Sequence, residues 1–133
     1  MDRRVRSMLI LLIEDDFALR RTLAEYLMSE GFDVESAANG QEGLQRLAAT
    51  SDHAPPDCIL LDMKMPHMDG REFCARQKGI SGIARVPTIA VAGDPISKDD
   101  FADLGLRATF SKPPNLPKLV ETIRKLLSCS AET

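Results

Sequence analysis

The chain has 133 residues, 28% of them charged and 44% hydrophobic, with a formal net charge of −3; this suits one compact domain with a single core. The acidic balance argues against a nucleic-acid surface, which needs a basic stripe. Its three cysteines, Cys58, Cys74 and Cys129, fit neither a zinc site nor a disulfide framework and point to a reducing compartment, and no apolar run approaches the ~20 residues of a membrane span.

Residues 1–7 read as a basic lead-in to a buried strand, "MLILLI" (8–13). The start is a little like a signal peptide, but the apolar stretch is short, runs straight into Glu14-Asp15-Asp16 and has no small-residue cleavage site. The run lacks polar alternation, as a strand covered on both faces does. In "DFALRRTLAEYLMSEG" (16–31), Leu19, Leu23, Tyr26 and Leu27 recur at helical spacing, Asp16 can cap the start and Gly31 can end it. "FDVESA" (32–37) is a more polar strand nearer an edge, and Asn39 caps a helix over 40–49. After a Pro-containing loop (50–56), "DCILLD" (57–62) is the next buried run, and a helix begins near Asp69. "RVPTIAVAG" (85–93) is the fourth strand region. "SKDDFADLG" (97–105) forms a short helix with Ser97 and Asp100 in capping-box spacing and Gly105 as its stop. "LRATFS" (106–111) is the fifth strand, and "NLPKLVETIRKLL" (115–127) is an amphipathic helix with Pro117 in its first turn. Residues 128–133 read as a frayed tail.

Strand and helix thus alternate five times, which predicts an α/β fold: a doubly wound five-stranded parallel sheet with helices on both faces. Such sheets bind ligands at the carboxyl ends of strands, where strand order reverses. For the order 2-1-3-4-5 that point lies between strands one and three, whose ends are Glu14-Asp15 and Asp62. Clustered carboxylates repel unless a cation intervenes. Two candidates exist, a divalent cation such as Mg²⁺, which accepts one or two carboxylates and keeps several waters, and Lys112 at the end of strand five.

"LLIEDD", then "ILLDMKMPHMDG", then "FSKPP", in that order and spacing, resemble the receiver domain of two-component response regulators over residues 8–127. The resemblance implies a flavodoxin-like fold and a phosphorelay role. Asp62 would be the phosphoacceptor, taking a phosphoryl group from a histidine kinase or a histidine phosphotransfer protein. Asp15 would bind Mg²⁺ directly, Glu14 mainly through water, and Asp62 and the Lys64 backbone carbonyl would complete the metal ligands. Lys112 would pair with Asp62 and then with phosphoryl oxygens, and the Lys112–Pro113 bond would be cis. Pro66 would fix the loop after Lys64, and Gly70 would permit close approach as the third helix begins. The domain would be cytoplasmic and no enzyme beyond its own phosphorylation and dephosphorylation. It would not engage nucleic acid or membrane, and it would form a homodimer or meet an effector through the face of helix four, strand five and helix five. The chain would be either a stand-alone regulator or a receiver from a larger protein.

Two positions depart from the family. Strand four would end in Ser or Thr, and Ala92 stands there; the aromatic switch position is Thr109. Phe110 is adjacent but points to the other sheet face. The alternative reading is therefore a partly degenerate receiver, acting as a phosphorylation-independent binding module or phosphate sink. A third, an aspartyl-phosphate phosphatase, expects an acid two residues after the nucleophile, where this chain has Lys64. Lys64 and Asp94 flank the pocket mouth in this family and are expected to approach each other across it. His53 and His67 read as loop residues, Met63, Met65 and Met68 as packing, and Cys129 as exposed.

Overall fold

A computed structural model of the chain describes residues 7–49, 55–65, 68–80 and 82–131. Its elements alternate as β1 Leu9–Ile13, α1 Phe17–Ser29, β2 Asp33–Ala37, α2 Gly40–Ala48, β3 Cys58–Asp62, α3 Gly70–Lys78, β4 Thr88–Ala92, α4 Lys98–Leu104, β5 Ala108–Ser111 and α5 Leu116–Ala131. All neighbouring strands pair in parallel, in the order β2-β1-β3-β4-β5. This is the expected doubly wound flavodoxin-like sheet.

Why these runs are strands follows from where their side chains go. Alternate residues point to opposite faces. Leu11, Ile13, Ile59, Leu61 and Ala90 join a core with Phe73 and Leu47 on the side of α2 and α3. Ile10, Leu12, Cys58, Leu60 and Ile89 join a second core with Leu23, Leu27, Leu119 and Ile123 of α1 and α5. Both faces are covered, so β1, β3 and β4 carry no polar alternation. Each fully buried Leu or Ile contributes about 1.5–3 kcal/mol.

All five helices are capped by side chains. Asp16, Asn39, Asp69, Ser97 and Asn115 accept the N–H three residues on, from Leu19, Glu42, Glu72, Asp100 and Lys118; each such cap is worth about 1 kcal/mol. The expected capping box at α4 is only half made, because the Asp100 carboxylate turns to Arg71 at 2.5 Å. Gly31 (φ 97°) follows α1 and Gly105 (φ 72°) ends α4, both in the left-handed region.

Three boundaries differ from expectation by two residues or more. β4 starts at Thr88 rather than 85, because Gln77 gathers the preceding turn by donating to the carbonyls of Ile83 and Val86. β5 starts at Ala108 rather than 106. α5 runs through Ala131 instead of ending at 127, since Ser-Cys-Ser-Ala contains no Pro or Gly to stop it. The expectations for residues 1–6, His53, Pro66, His67 and the Cys129 side chain lie outside the described residues. Among the described residues no helix is long and apolar enough to cross a membrane.

Register fixes what meets at the carboxyl edge. Ile13 pairs with Leu61, so Glu14 follows alongside Asp62; Asp62 pairs with Val91, and Ala92 with Ser111. The Lys112 N–H then donates to the Ala92 carbonyl at 3.1 Å, which brings the fifth strand's lysine over the same edge.

Candidate functional site

Asp62 closes a strand whose five residues are all buried, and it is 1% exposed itself. Its Oδ1 accepts the Lys64 N–H at 3.1 Å and faces the Lys112 ammonium at 2.9 Å. Glu14, also 1% exposed, accepts the Asp16 N–H at 3.1 Å and lies 3.2 Å from Lys112 Nζ through the same Oε2. Lys112 therefore bridges two buried carboxylates, and the Lys112–Pro113 bond after it is cis. Asp15 is exposed at the rim.

The electrostatics follow from crowding three acids against one ammonium. Burial, aided by the nearby Asp62 charge, pushes the Glu14 carboxyl up to about 7 from its ordinary 4.5, against the opposing pull of the Asp16 N–H and Lys112. Asp15 is also raised, first by the proton it can share with the Asp62 carboxylate and then by burial. Burial alone would raise Asp62, but the proton Asp15 can share with it and the hydrogen bonds from Lys112 and the Lys64 N–H outweigh burial and hold that carboxyl low. Burial would lower Lys112, and its two carboxylate partners reverse the direction.

One carboxylate oxygen of each of Glu14, Asp15 and Asp62 lies within 4.8 Å of the others. Among the described residues, Asp62 Oδ2 is the buried side-chain polar atom that lacks a hydrogen-bond partner. An orphaned buried carboxylate oxygen is costly unless something cationic meets it. The hard oxygen donors and the exposed third acid suit a small divalent cation that keeps water ligands.

At the mouth, Lys64 Nζ and Asp94 Oδ2 stand 3.6 Å apart, both side chains more than four-fifths exposed. The Ala92 methyl, 8% exposed, ends β4 with no hydroxyl to offer. Thr88 is no substitute, because it is buried at the strand's start with its Oγ1 toward Gln77. Thr109 pairs with Ala90 rather than Ala92 and is exposed. A hollow of about 300 Å³, lined by Ala92, Gly93, Ile96, Thr109 and Ser111, lies beside it. Phe110 packs into the opposite core with α1 and α5, as its parity requires. Met65 and Met68 are core residues, and Met63 closes on Gly70, where an added Cβ would stand 2.9 Å from the Met63 Cα.

Sequence reasoning passed over two residues that tie this region down. Arg20 donates to the Glu14 carbonyl at 2.7 Å, and Arg71 joins the first turn of α3 to α4 through Asp100. Neither carries a sequence signal, since an arginine on a polar helix face looks the same whether or not a partner lies beneath it.

The model of the response regulator receiver domain matches residues 10–124 of the chain. The chain is 33% identical over 118 residues to the sporulation initiation phosphotransferase F of Bacillus subtilis, covering 89% of this chain and 92% of that protein. It is 34% identical over 122 residues to the CpxR-homologous transcriptional regulatory protein of Haemophilus influenzae, of which it spans 51%. It likewise spans about half the length of several further regulators it matches. Among solved structures, the signal receiver domain of a signal transduction histidine kinase from Syntrophus aciditrophicus superposes with a TM-score of 0.82 at 28% identity, over 96% of this chain and 95% of that one.

Proposed function

The chain belongs to the receiver-domain family of response regulators, the phosphoacceptor modules of two-component signalling, and on that premise we propose that Asp62 is its phosphoacceptor. The carrying observation is the buried Asp62 carboxylate with one oxygen held by Lys112 and the Lys64 N–H and the other without a partner. The proposed donor is a phosphohistidine of a histidine kinase or histidine phosphotransfer protein. A carboxylate oxygen of Asp62 forms the new bond to phosphorus while the phosphorus–imidazole bond breaks, leaving an acyl phosphate.

Asp15 and Asp62, with the Lys64 carbonyl, would hold Mg²⁺ directly, and Glu14 would do so through water; the cation supplies charge neutralisation at the phosphoryl oxygens. Lys112 would neutralise the carboxylates before transfer, and its ammonium would move from Asp62 Oδ1 to a phosphoryl oxygen afterwards. Ala92 offers no hydroxyl there, so the Gly93 N–H is the nearby backbone donor. A charge-assisted hydrogen bond is worth roughly 1.5–3 kcal/mol, and its absence weakens the phosphorylated state. That absence favours the second reading, a module that docks partners whether or not Asp62 is modified. A homodimer or effector contact through α4, β5 and α5 would carry the output under either reading.

Incubation with Mg²⁺ and a small acyl phosphate, followed by intact mass, tests the first reading. The first reading expects a gain of one phosphoryl group that disappears in Asp62→Ala. No gain in the unaltered chain would leave the docking module as the reading.

A further inference from the structure

Arg20 lies on the second turn of α1, apart from the acidic trio and Lys112. Its Nη1 donates to the Glu14 backbone carbonyl at 2.7 Å, the shortest of the hydrogen bonds around Glu14. The guanidinium carbon stands 5.5 Å from the centroid of the Phe17 ring, which is itself 67% exposed. That stacking holds a long, otherwise mobile side chain in place.

The carbonyl in question belongs to the peptide that joins Glu14 to Asp15. It lies one residue beyond the last paired position of β1 and β2, Ile13 with Ala37, and before α1 begins. The flanks of this turn are already fixed. The Glu14 N–H donates to the Ala37 carbonyl at 3.1 Å, the Asp16 N–H to Glu14 Oε2, and Asp16 caps α1. A change in the Glu14 ψ angle would turn that carbonyl away from Arg20, swing the Asp15 Cα and re-aim its carboxylate, which is the exposed member of the acidic trio.

We propose that Arg20 is a positioning residue for the acidic pocket: by holding the Glu14–Asp15 peptide it presets the Asp15 carboxylate toward a divalent cation. The proposal rests on the phosphoacceptor reading for the cation's purpose. Charge alone predicts the opposite effect, because a guanidinium near a cation site repels the cation. Positioning acts through geometry, as partners behind metal ligands do.

Titration of Mg²⁺ into the folded chain by calorimetry or amide chemical shifts, for the unaltered protein, Arg20→Met and Arg20→Lys, tests this. Thermal unfolding in EDTA accompanies each variant. Arg20→Met is expected to weaken Mg²⁺ binding about tenfold, Arg20→Lys to recover most of the loss, and the EDTA midpoints to stay close together. Unchanged or tighter Mg²⁺ binding by Arg20→Met overturns the proposal, and so does a lowered EDTA midpoint with unchanged affinity, which assigns Arg20 to stability alone. If the unaltered chain binds no Mg²⁺, the phosphoacceptor reading fails and this inference with it; if it binds Mg²⁺ and only the Arg20 variants fail to differ, the phosphoacceptor reading stands.

Discussion

The Lys112 ammonium sits 2.9 Å from Asp62 Oδ1, and this contact joins the end of β5 to the end of β3 across the width of β4. The same ammonium reaches Glu14 at 3.2 Å. One partly exposed cation thus serves two carboxylates that are almost wholly withdrawn from water.

Removing it leaves two buried acids facing each other. Lys112→Met is expected to lose about 1–3 kcal/mol in metal-free buffer near pH 8, less than a fully buried pair because Lys112 keeps 26% of its exposure. Mg²⁺ should restore part of the loss. Urea unfolding with and without Mg²⁺ measures both effects.

Stability of the metal-free chain should fall as pH rises through the window from about 4.5 to about 7. Glu14, raised to about 7, keeps a proton in the folded chain that the unfolded chain has already released. The folded state therefore binds more protons in that window, and stability drops by an order of 1–3 kcal/mol toward its upper end. Asp15, also raised, acts in the same direction. Asp62, held below its ordinary 3.8, acts oppositely but only at lower pH, and Lys112 matters only above 10.5. Mg²⁺ should raise the unfolding midpoint more at pH 8 than at pH 5.5, where Glu14 is protonated. A flat profile in EDTA across the window would contradict the assignment.

Ala92→Ser adds the hydroxyl that the end of β4 lacks. Beryllofluoride, a phosphoryl mimic, should bind the variant about tenfold more tightly in the presence of Mg²⁺, as one charge-assisted hydrogen bond implies. Equal affinity would show that the backbone N–H of Gly93 already satisfies that oxygen.

The Lys64–Asp94 pair is too exposed to matter to stability, and Lys64→Asn should change it by less than ~1 kcal/mol. Its expected effect is on the acyl phosphate. With the pair gone, water reaches the phosphorus more easily and the modified state decays several times faster. Time-resolved intact mass reads the lifetime, and an unchanged value removes the role.

The outline of the fold was legible because β1, β3 and β4 bury both faces: "LILLI", "CILLD" and "TIAVA" leave solvent no polar alternation to meet. The helix starts were legible because Asp16, Asn39 and Ser97 carry their own capping oxygens. Helix ends were legible where a glycine marks them, as after α1 and α4, and not at α5, where no breaker occurs before the helix ends at Ala131.

Sequence order alone determined that Glu14, Asp15, Asp62 and Lys112 sit at strand ends, since a buried apolar run must stop where the first charge appears. It also determined what is missing, because a methyl at Ala92 and a small hydroxyl at Thr109 are facts of composition. Only the tertiary structure decided which partners those groups have. Register set Glu14 beside Asp62, and the 2-1-3-4-5 order carried Lys112 over both; the crowding then moved their proton affinities in opposite directions. Arg20 belongs wholly to that second kind of knowledge. Its partner is a backbone carbonyl, which every residue carries, so nothing in the amino-acid pattern distinguishes the one it grips from any other.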